Sequence, residues 1–389
     1  MSQPTFRDLG VPARLVARLT ARAITVPTPI QARALPDALA GHDVCGRAPT
    51  GSGKTLVFGL AIAQRGRVGK PRRPRALVLV PTRELASQVQ KELATLVMGG
   101  DHEVVAIYGG VGYAAQRKAL NKGAGVVIAC PGRLEDLVSQ KDVDLSDVDL
   151  VVIDEADRMS DMGFLPAVRR LLDRTSSNRQ TMLFSATLDH EVATVVRDYQ
   201  HQPRRHDVVD ESEPPDVTHL FWHADRPSKV RLTAELVDKH GSAVVFCRTR
   251  HGADRVTRQL VQAGVRAVAI HGSRSQPQRL RALSAFIEGN ATALVATDVA
   301  ARGIHVDDIG CVVHFDPPGD AKDYIHRSGR TARAGAVGTV VSLVAVDEQH
   351  AVRVLQRQLG MEARLRSPDG ARVSRQEQPR PGRNRRRAS

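Results

Sequence analysis

Two short stretches carry residues whose types and spacing suit a chemical task. In "APTGSGKT", Ala48 to Thr55, small residues leave backbone N–H groups able to point at phosphate oxygens, Lys54 can meet the outer phosphates, and Thr55 offers a hydroxyl to magnesium. Pro49, Thr50, Gly51, Ser52 and Gly53 complete the loop, and Ala48 stands where such loops usually begin with glycine. In "LVVIDEAD", Leu150 to Asp157, an apolar run meets three carboxylates with only Ala156 among them. An Asp-rich turn after a strand would explain acids of this kind by themselves, because their oxygens satisfy freed amides. The phosphate loop upstream changes that reading. A loop of this type needs an acid at the end of another core strand to hold the metal, and Asp154 is the first polar residue after the run. Glu155, one residue farther on, is placed to accept a proton from an attacking water. The pair of motifs predicts hydrolysis of a nucleoside triphosphate with Mg2+. Asp157 has no metal task and is expected to contact another motif.

Such groups need strands that fix them. Short apolar runs alternate with longer stretches of helical period, the pattern of parallel strands covered by helices on both faces. "RALVLVP", "VVAIYGG", "GVVIACP", "LVVIDEAD" and "TMLFSAT" read as strands in the first half, and "SAVVFCRT", "VRAVAIHG", "TALVATD", "CVVHFDPP" and "GTVVSLVA" in the second. The fold class is therefore α/β with two domains, residues 1–203 and 217–362. The Pro-containing stretch 204–216 lies between them as a linker, and a disordered basic tail over 363–389 is too poor in apolar residues to fold.

A chain of 389 residues with 56 basic and 42 acidic side chains carries a net charge of +14, which points to a polyanionic partner. Membranes fit less well, since no apolar run nears the roughly 20 residues needed to span a bilayer and the start lacks the features of a signal peptide. Cys45, Cys130, Cys247 and Cys311 form no CxxC pair, so neither a zinc site nor a disulfide framework is expected, and a reducing cytoplasm fits best.

With these elements together the sequence resembles the DEAD-box ATP-dependent RNA helicases of superfamily 2, in a bacterial minimal-core form with a short basic tail. Besides the two stretches above, the likeness rests on "VPTPIQ" (26–31), "PTREL" (81–85), "GG" (109–110), "CPGR" (130–133), "SAT" (185–187), "VFCRT" (245–249), "QPQR" (276–279), "ATDVAARG" (296–303) and "HRSGRTAR" (326–333), in family order. The resemblance implies two tandem RecA-like domains. It implies that Gln31 reads the adenine edge, with Phe6 packed nearby, and that Arg330 and Arg333 reach the γ-phosphate as arginine fingers, with His326 beside them. Guanidinium forks suit that charge, and such fingers contribute on the order of 10³ to 10⁵ in rate. Ser185 and Thr187 would couple hydrolysis to domain closure with Asp157 and His326; capping of the following helix is the plain alternative.

The RNA backbone would meet Pro81, Thr82, Arg83, Gly110, Gly132 and Arg133 on the first domain and Arg248, Gln276, Arg279, Thr297 and Gly303 on the second. These are small, hydroxyl and Arg residues, suited to a sugar-phosphate track rather than to base edges. The expected activity is RNA-dependent ATP hydrolysis that opens short duplexes or remodels RNA–protein complexes, by a cytoplasmic monomer serving ribosomal particles or RNA decay. The rival readings are an ATP-gated clamp or annealing chaperone, a DNA-directed helicase of the same superfamily, and a small-molecule kinase. The last leaves the arginines of the second half unexplained.

Two departures fall at the nucleoside end. Ile24 stands where the family has an aromatic that stacks on adenine, and His305 where it has an Asp for the ribose. Base stacking on an aromatic contributes roughly 1–3 kcal/mol, of which an aliphatic surface recovers part. Cys130, Ala332 and Ser328 also replace the usual Thr, Gly and aliphatic residue. Ile24→Phe and His305→Asp are expected to lower the Michaelis constant for ATP; an unchanged constant in both variants contradicts this reading. The cationic stretch 65–75 and nine arginines from Arg364 onward would tether RNA. Truncation after Gly360 should lower RNA affinity and flatten its salt dependence, which on single strands falls by about 0.7 per contact in log units. Equal salt slopes for the two forms would refute the tether.

Overall fold

A strand buried on both faces needs apolar residues at every position, and the continuous apolar runs form strands of that kind. The computed structural model describes residues 4–49, 51–66, 68–97, 104–208, 217–298, 309–331 and 338–368. In it β1 (Val44–Arg47), β2 (Ala76–Leu79), β3 (Val104–Ile107), β4 (Val126–Ala129), β5 (Leu150–Asp154), β6 (Gln180–Ser185) and β7 (Arg204–Asp207) form one sheet in the order β3-β4-β2-β5-β6-β1-β7. A second sheet, ordered β10-β11-β9-β12-β13-β8, holds β8 (Val217–His223), β9 (Ala243–Phe246), β10 (Ala267–Ile270), β11 (Ala293–Ala296), β12 (Cys311–His314) and β13 (Gly338–Val344). Every pairing is parallel. The chain divides into two compact units, Met1–Pro214 with Gly272–Arg281 and Val299–Asp307, and the remainder.

Alternation along β5 shows how the core aims the acids. Leu150 and Val152 join one buried cluster with Leu56, Val57 and Leu60 of the helix Lys54–Arg65, while Val151 and Ile153 join the opposite cluster with Met159, Val168 and Val195. The two-residue period therefore turns Asp154 toward the face that carries the phosphate-loop helix. In the second sheet, Val245, Val295, Val313 and Leu343 pack with Leu232, Leu236, Val256 and Leu260 of flanking helices.

Three strands were not expected from the sequence. β1 is short and contains Gly46; a Cβ there would meet Phe184 Cδ1 at 2.6 Å, so the glycine lets the Phe184 ring lie over the strand. β7 and β8 close the edges of their sheets, where no residue of β7 and only Phe221 of β8 is buried, so no continuous apolar run is needed. β7 also corrects the linker, because Arg204–Asp207 pairs with β1 as a strand of the first sheet.

The start of the tail needs a correction as well. Arg366 N donates to Phe221 O at 2.8 Å and His223 N donates to Arg366 O at 2.9 Å, so a short segment lies along β8. Residues 369–389 lie outside the described residues, and a truncation that isolates the tail belongs after Pro368. No helix among the described residues is long and apolar enough to cross a membrane.

Candidate active site and nucleic-acid interface

The phosphate loop leaves β1 and ends where Gly53, with φ of 91°, starts the helix Lys54–Arg65. Gly51 is also left-handed, at φ 87°, a conformation glycine adopts without strain. Lys54 is buried, and its Nζ donates to Ala48 O at 2.8 Å and Pro49 O at 3.0 Å. Burial lowers its pKa, against the upward pull of Asp154, Glu155 and Asp157.

The segment around Gln31 props this loop. Thr28 caps the helix Pro29–Ala40, with Gln31 at the third helical position closing a capping box. Thr28 Oγ1 donates to Ser52 O at 2.7 Å, Gln31 Nε2 donates to Gly53 O at 3.0 Å, and Gln31 Oε1 accepts from Thr28 N at 2.9 Å. The close fit requires Gly53, since a Cβ there would lie 2.4 Å from Gln31 Nε2. Gln31 thus braces the loop, a role that the sequence did not reveal, in addition to the adenine contact expected of it. Phe6 is buried in the same core cluster as Ile30, and Ile24 packs half-buried against that cluster.

Asp154 ends β5 with 3% exposure, and its Oδ1 accepts from Glu155 N at 3.0 Å. Burial pushes its carboxyl up to about 7 despite the opposing effect of Lys54. A folded-state value above the ordinary 3.8 means that the native state holds the proton more tightly. This group's contribution to stability therefore falls as pH rises between those values, and a cation beside the carboxylate would offset the loss. A carboxylate and the hydroxyl of Thr55 are the hard oxygen donors that a magnesium ion takes. Lys54, Thr55, Asp154 and Glu155 line one cavity of about 320 Å³ with Gly51, Gly53 and Gln88.

Glu155 adopts a left-handed backbone at φ 55°, strained for a residue with a side chain and held where the strand passes into the helix Ala156–Asp161. Its Oε2 accepts from Arg158 Nη1 at 2.9 Å, both side chains being buried. Arg158 was not singled out from the sequence; its place three residues beyond Glu155, at the start of a helix, is the signal that could have found it.

Asp157 is bonded to the loop that follows β6. Its Oδ2 accepts from Ala186 N and Thr187 N, each at 3.2 Å, and its own N–H donates to Ser185 Oγ at 3.0 Å. The helix His190–Tyr199 is capped by Asp189, whose Oδ1 accepts from Val192 N at 2.9 Å, so Ser185 and Thr187 are not its caps.

Three loops of the first unit bring the proposed RNA-facing residues together. Pro81, Thr82 and Arg83 follow β2, Gly109 and Gly110 follow β3, and Gly132 and Arg133 follow β4. A Cβ on Gly110 would lie 1.8 Å from Arg83 Nη1, and one on Gly109 would lie 3.4 Å from Arg83 Nη2 and 3.9 Å from Arg133 Nη2. Two guanidinium groups therefore converge on a glycine turn whose Gly110 has φ of 81°. Gly132 is exposed in the first turn of the helix Pro131–Ser139.

In the second unit Arg248 follows β9, its N–H donating to Asp316 Oδ2 at 2.8 Å and its Nη2 to Glu348 Oε1 at 3.3 Å. Thr297 follows β11. Gln276 and Arg279, expected on the second domain, lie in the first turn of the helix Gln276–Ile287, within the segment Gly272–Arg281 that groups with the first unit. His326 lies on the helix Ala321–Ser328, and the buried Arg330 donates through Nε to His326 O at 3.3 Å. The sequence reading passed over Arg327, which grips Asp298 with two bonds of 2.6 and 2.8 Å. Thr50, Gly303, His305, Ala332 and Arg333 lie outside the described residues.

Residues 28–195 match the DEAD/DEAH box helicase family and residues 228–335 the helicase conserved C-terminal domain. The chain is 37% identical over 364 residues to DEAD-box ATP-dependent RNA helicase 9, mitochondrial, of Arabidopsis thaliana, covering 91% of this chain and 59% of that protein. The chain spans about three-fifths of the length of the curated relatives it matches. Among solved structures, S. cerevisiae Dbp5 bound to RNA and ADP BeF3 is similar at a TM-score of 0.77 and 27% identity, over 92% of this chain and 93% of that one. The yeast DEAD-box splicing factor Prp28 is similar at a TM-score of 0.50 and 30% identity, over 94% and 86% of the two chains.

Loss of the Asp157 carboxylate would leave the Ala186 and Thr187 amides without their charged acceptor. Hydrogen bonds to a charged group contribute about 1.5–3 kcal/mol, less where solvent reaches them. Asp157→Ala is therefore expected to destabilise the chain by about 1–2 kcal/mol in urea unfolding; an unchanged midpoint contradicts the bracing role.

Proposed function

This chain belongs to the DEAD-box family of ATP-dependent RNA helicases, and on that premise we propose that it is an RNA-dependent ATPase that locally unwinds or remodels short RNA duplexes or RNA–protein complexes. The observation that carries the reading is the single cavity in which Lys54 and Thr55 meet Asp154 and Glu155. There a phosphate chain would draw the Lys54 ammonium away from the Ala48 and Pro49 carbonyls that now accept from it. Thr55 and Asp154 would hold a magnesium ion, which supplies neutralisation of phosphate charge. Glu155 would take the proton of the attacking water, and the Arg158 guanidinium would keep its carboxylate in place. Arg330 and Arg333 would meet the charge that develops on the transferred phosphoryl group.

Asp157 supplies the route from the site of hydrolysis to the Ser185–Thr187 loop, because a shift in the turn at Glu155 moves the acceptor of two loop amides. Binding of ATP and single-stranded RNA would close the two domains, and hydrolysis would reset them. On the first unit, Arg83 and Arg133 at the glycine turn would grip phosphates without reading bases. The +14 balance supports a polyanionic partner. We place the protein in the cytoplasm as a monomer, with ribosomal particles or RNA-decay machinery as the classes of partner.

ATP turnover titrated with RNA and with DNA of the same length tests the reading. RNA should stimulate turnover more than DNA, and Glu155→Gln should reduce it by at least about 10² while ATP and RNA still bind. Turnover in Glu155→Gln close to the wild type would remove Glu155 as the base, and equal stimulation by DNA would favour a DNA-directed enzyme.

A further inference from the structure

Aromatic side chains are few in this chain, and one of them lies beside the proposed RNA face without a role in the mechanism above. Tyr113 opens the helix Tyr113–Asn121, just after the turn of Gly109 and Gly110. The guanidinium carbon of Arg133 stands 4.0 Å from the centre of its ring, and that of Arg117 stands 5.3 Å away. The ring is itself pinned, since its hydroxyl donates to Asp136 Oδ2 at 3.0 Å, on the same helix as Arg133. Arg133 also donates through Nη1 to Val111 O at 3.0 Å and to Gln116 Oε1 at 3.5 Å, and the buried Gln116 donates to Tyr108 O at 2.9 Å.

The guanidinium is thus held over an aromatic face, with one nitrogen tied to the loop and Nη2 on the side of Gly109. A free Arg side chain loses much rotamer freedom when it grips a ligand. One that is already held by the ring quadrupole and a carbonyl has little left to lose, so preorganisation appears as affinity.

We propose that Tyr113 is a positioning residue for RNA binding, its ring presenting the Arg133 guanidinium to a backbone phosphate of single-stranded RNA. The proposal rests on the reading of this face as the RNA interface. It assigns Tyr113 no direct contact with the nucleic acid.

The test is binding of a labelled oligouridylate to the full chain over a range of salt, for wild type, Tyr113→Ala, Arg133→Ala and the double variant. Tyr113→Ala should weaken binding by about two- to fivefold, the range of an exposed cation–π contact. Arg133→Ala should weaken it at least as much and flatten the salt slope by about 0.7. The double variant should bind no more weakly than Arg133→Ala, because the ring acts through the guanidinium. Tyr113→Phe, which keeps the ring and loses only its hydroxyl tie to Asp136, should lose less affinity than Tyr113→Ala, and Tyr113→Leu should resemble Tyr113→Ala. Additive losses in the double variant overturn the proposal, as does wild-type affinity in Tyr113→Ala or Arg133→Ala. Absence of RNA binding by the unmodified chain would overturn the functional reading itself.

Discussion

A parallel sheet delivers the carboxyl ends of all its strands to one edge, and each loop of the first unit that carries a proposed function leaves such an end. The phosphate loop follows β1, the Arg83 segment β2, the glycine turn β3, the Arg133 segment β4, the acids β5 and the Ser185 loop β6. Right-handed crossovers return the chain over the faces of the sheet, which leaves this edge open for ligands. Motifs separated by more than a hundred residues thereby become neighbours. The same constraint explains the composition: strands covered on both faces must be apolar throughout, so the chemistry is confined to the few residues that follow them.

Within that frame the loops are held by one another. The carbonyls of Ser52 and Gly53 are taken by Thr28 and Gln31, and those of Ala48 and Pro49 by Lys54. The segment proposed to meet the nucleoside and the phosphate loop are thus joined through one glutamine, and a change in the loop reaches Gln31 directly. At the other end Asp157 ties the turn after β5 to the loop after β6. Both ties are hydrogen bonds to backbone groups, which fix position with little dependence on which side chains surround them.

Arginine does the comparable work for charge. Arg158 pairs with Glu155 and Arg327 with Asp298, each in a buried or half-buried setting. Removing two charges from water offsets most of their attraction, so such pairs contribute geometry more than stability. A planar fork with several donors suits that task better than a lysine ammonium.

The sequence by itself determined the fold class and most of the strands and singled out the phosphate-loop and acidic stretches, because apolar runs and glycine-lysine spacing are local signals. It did not determine β1, β7 or β8: the first needs Gly46 only because Phe184 packs over it, and the other two are edge strands without a long continuous apolar run. It also placed the linker and the tail too generously, since backbone pairing of Arg204–Asp207 and of Arg366 needs no particular side chain. Only the tertiary structure decided that Gln31 braces the phosphate loop, that Arg158 holds Glu155, and that Tyr113 lies under Arg133. Each of these depends on distance in space between residues on different turns or strands. Residue type and order along the chain set which contacts are chemically possible, while packing of the parallel sheet selects the ones that form.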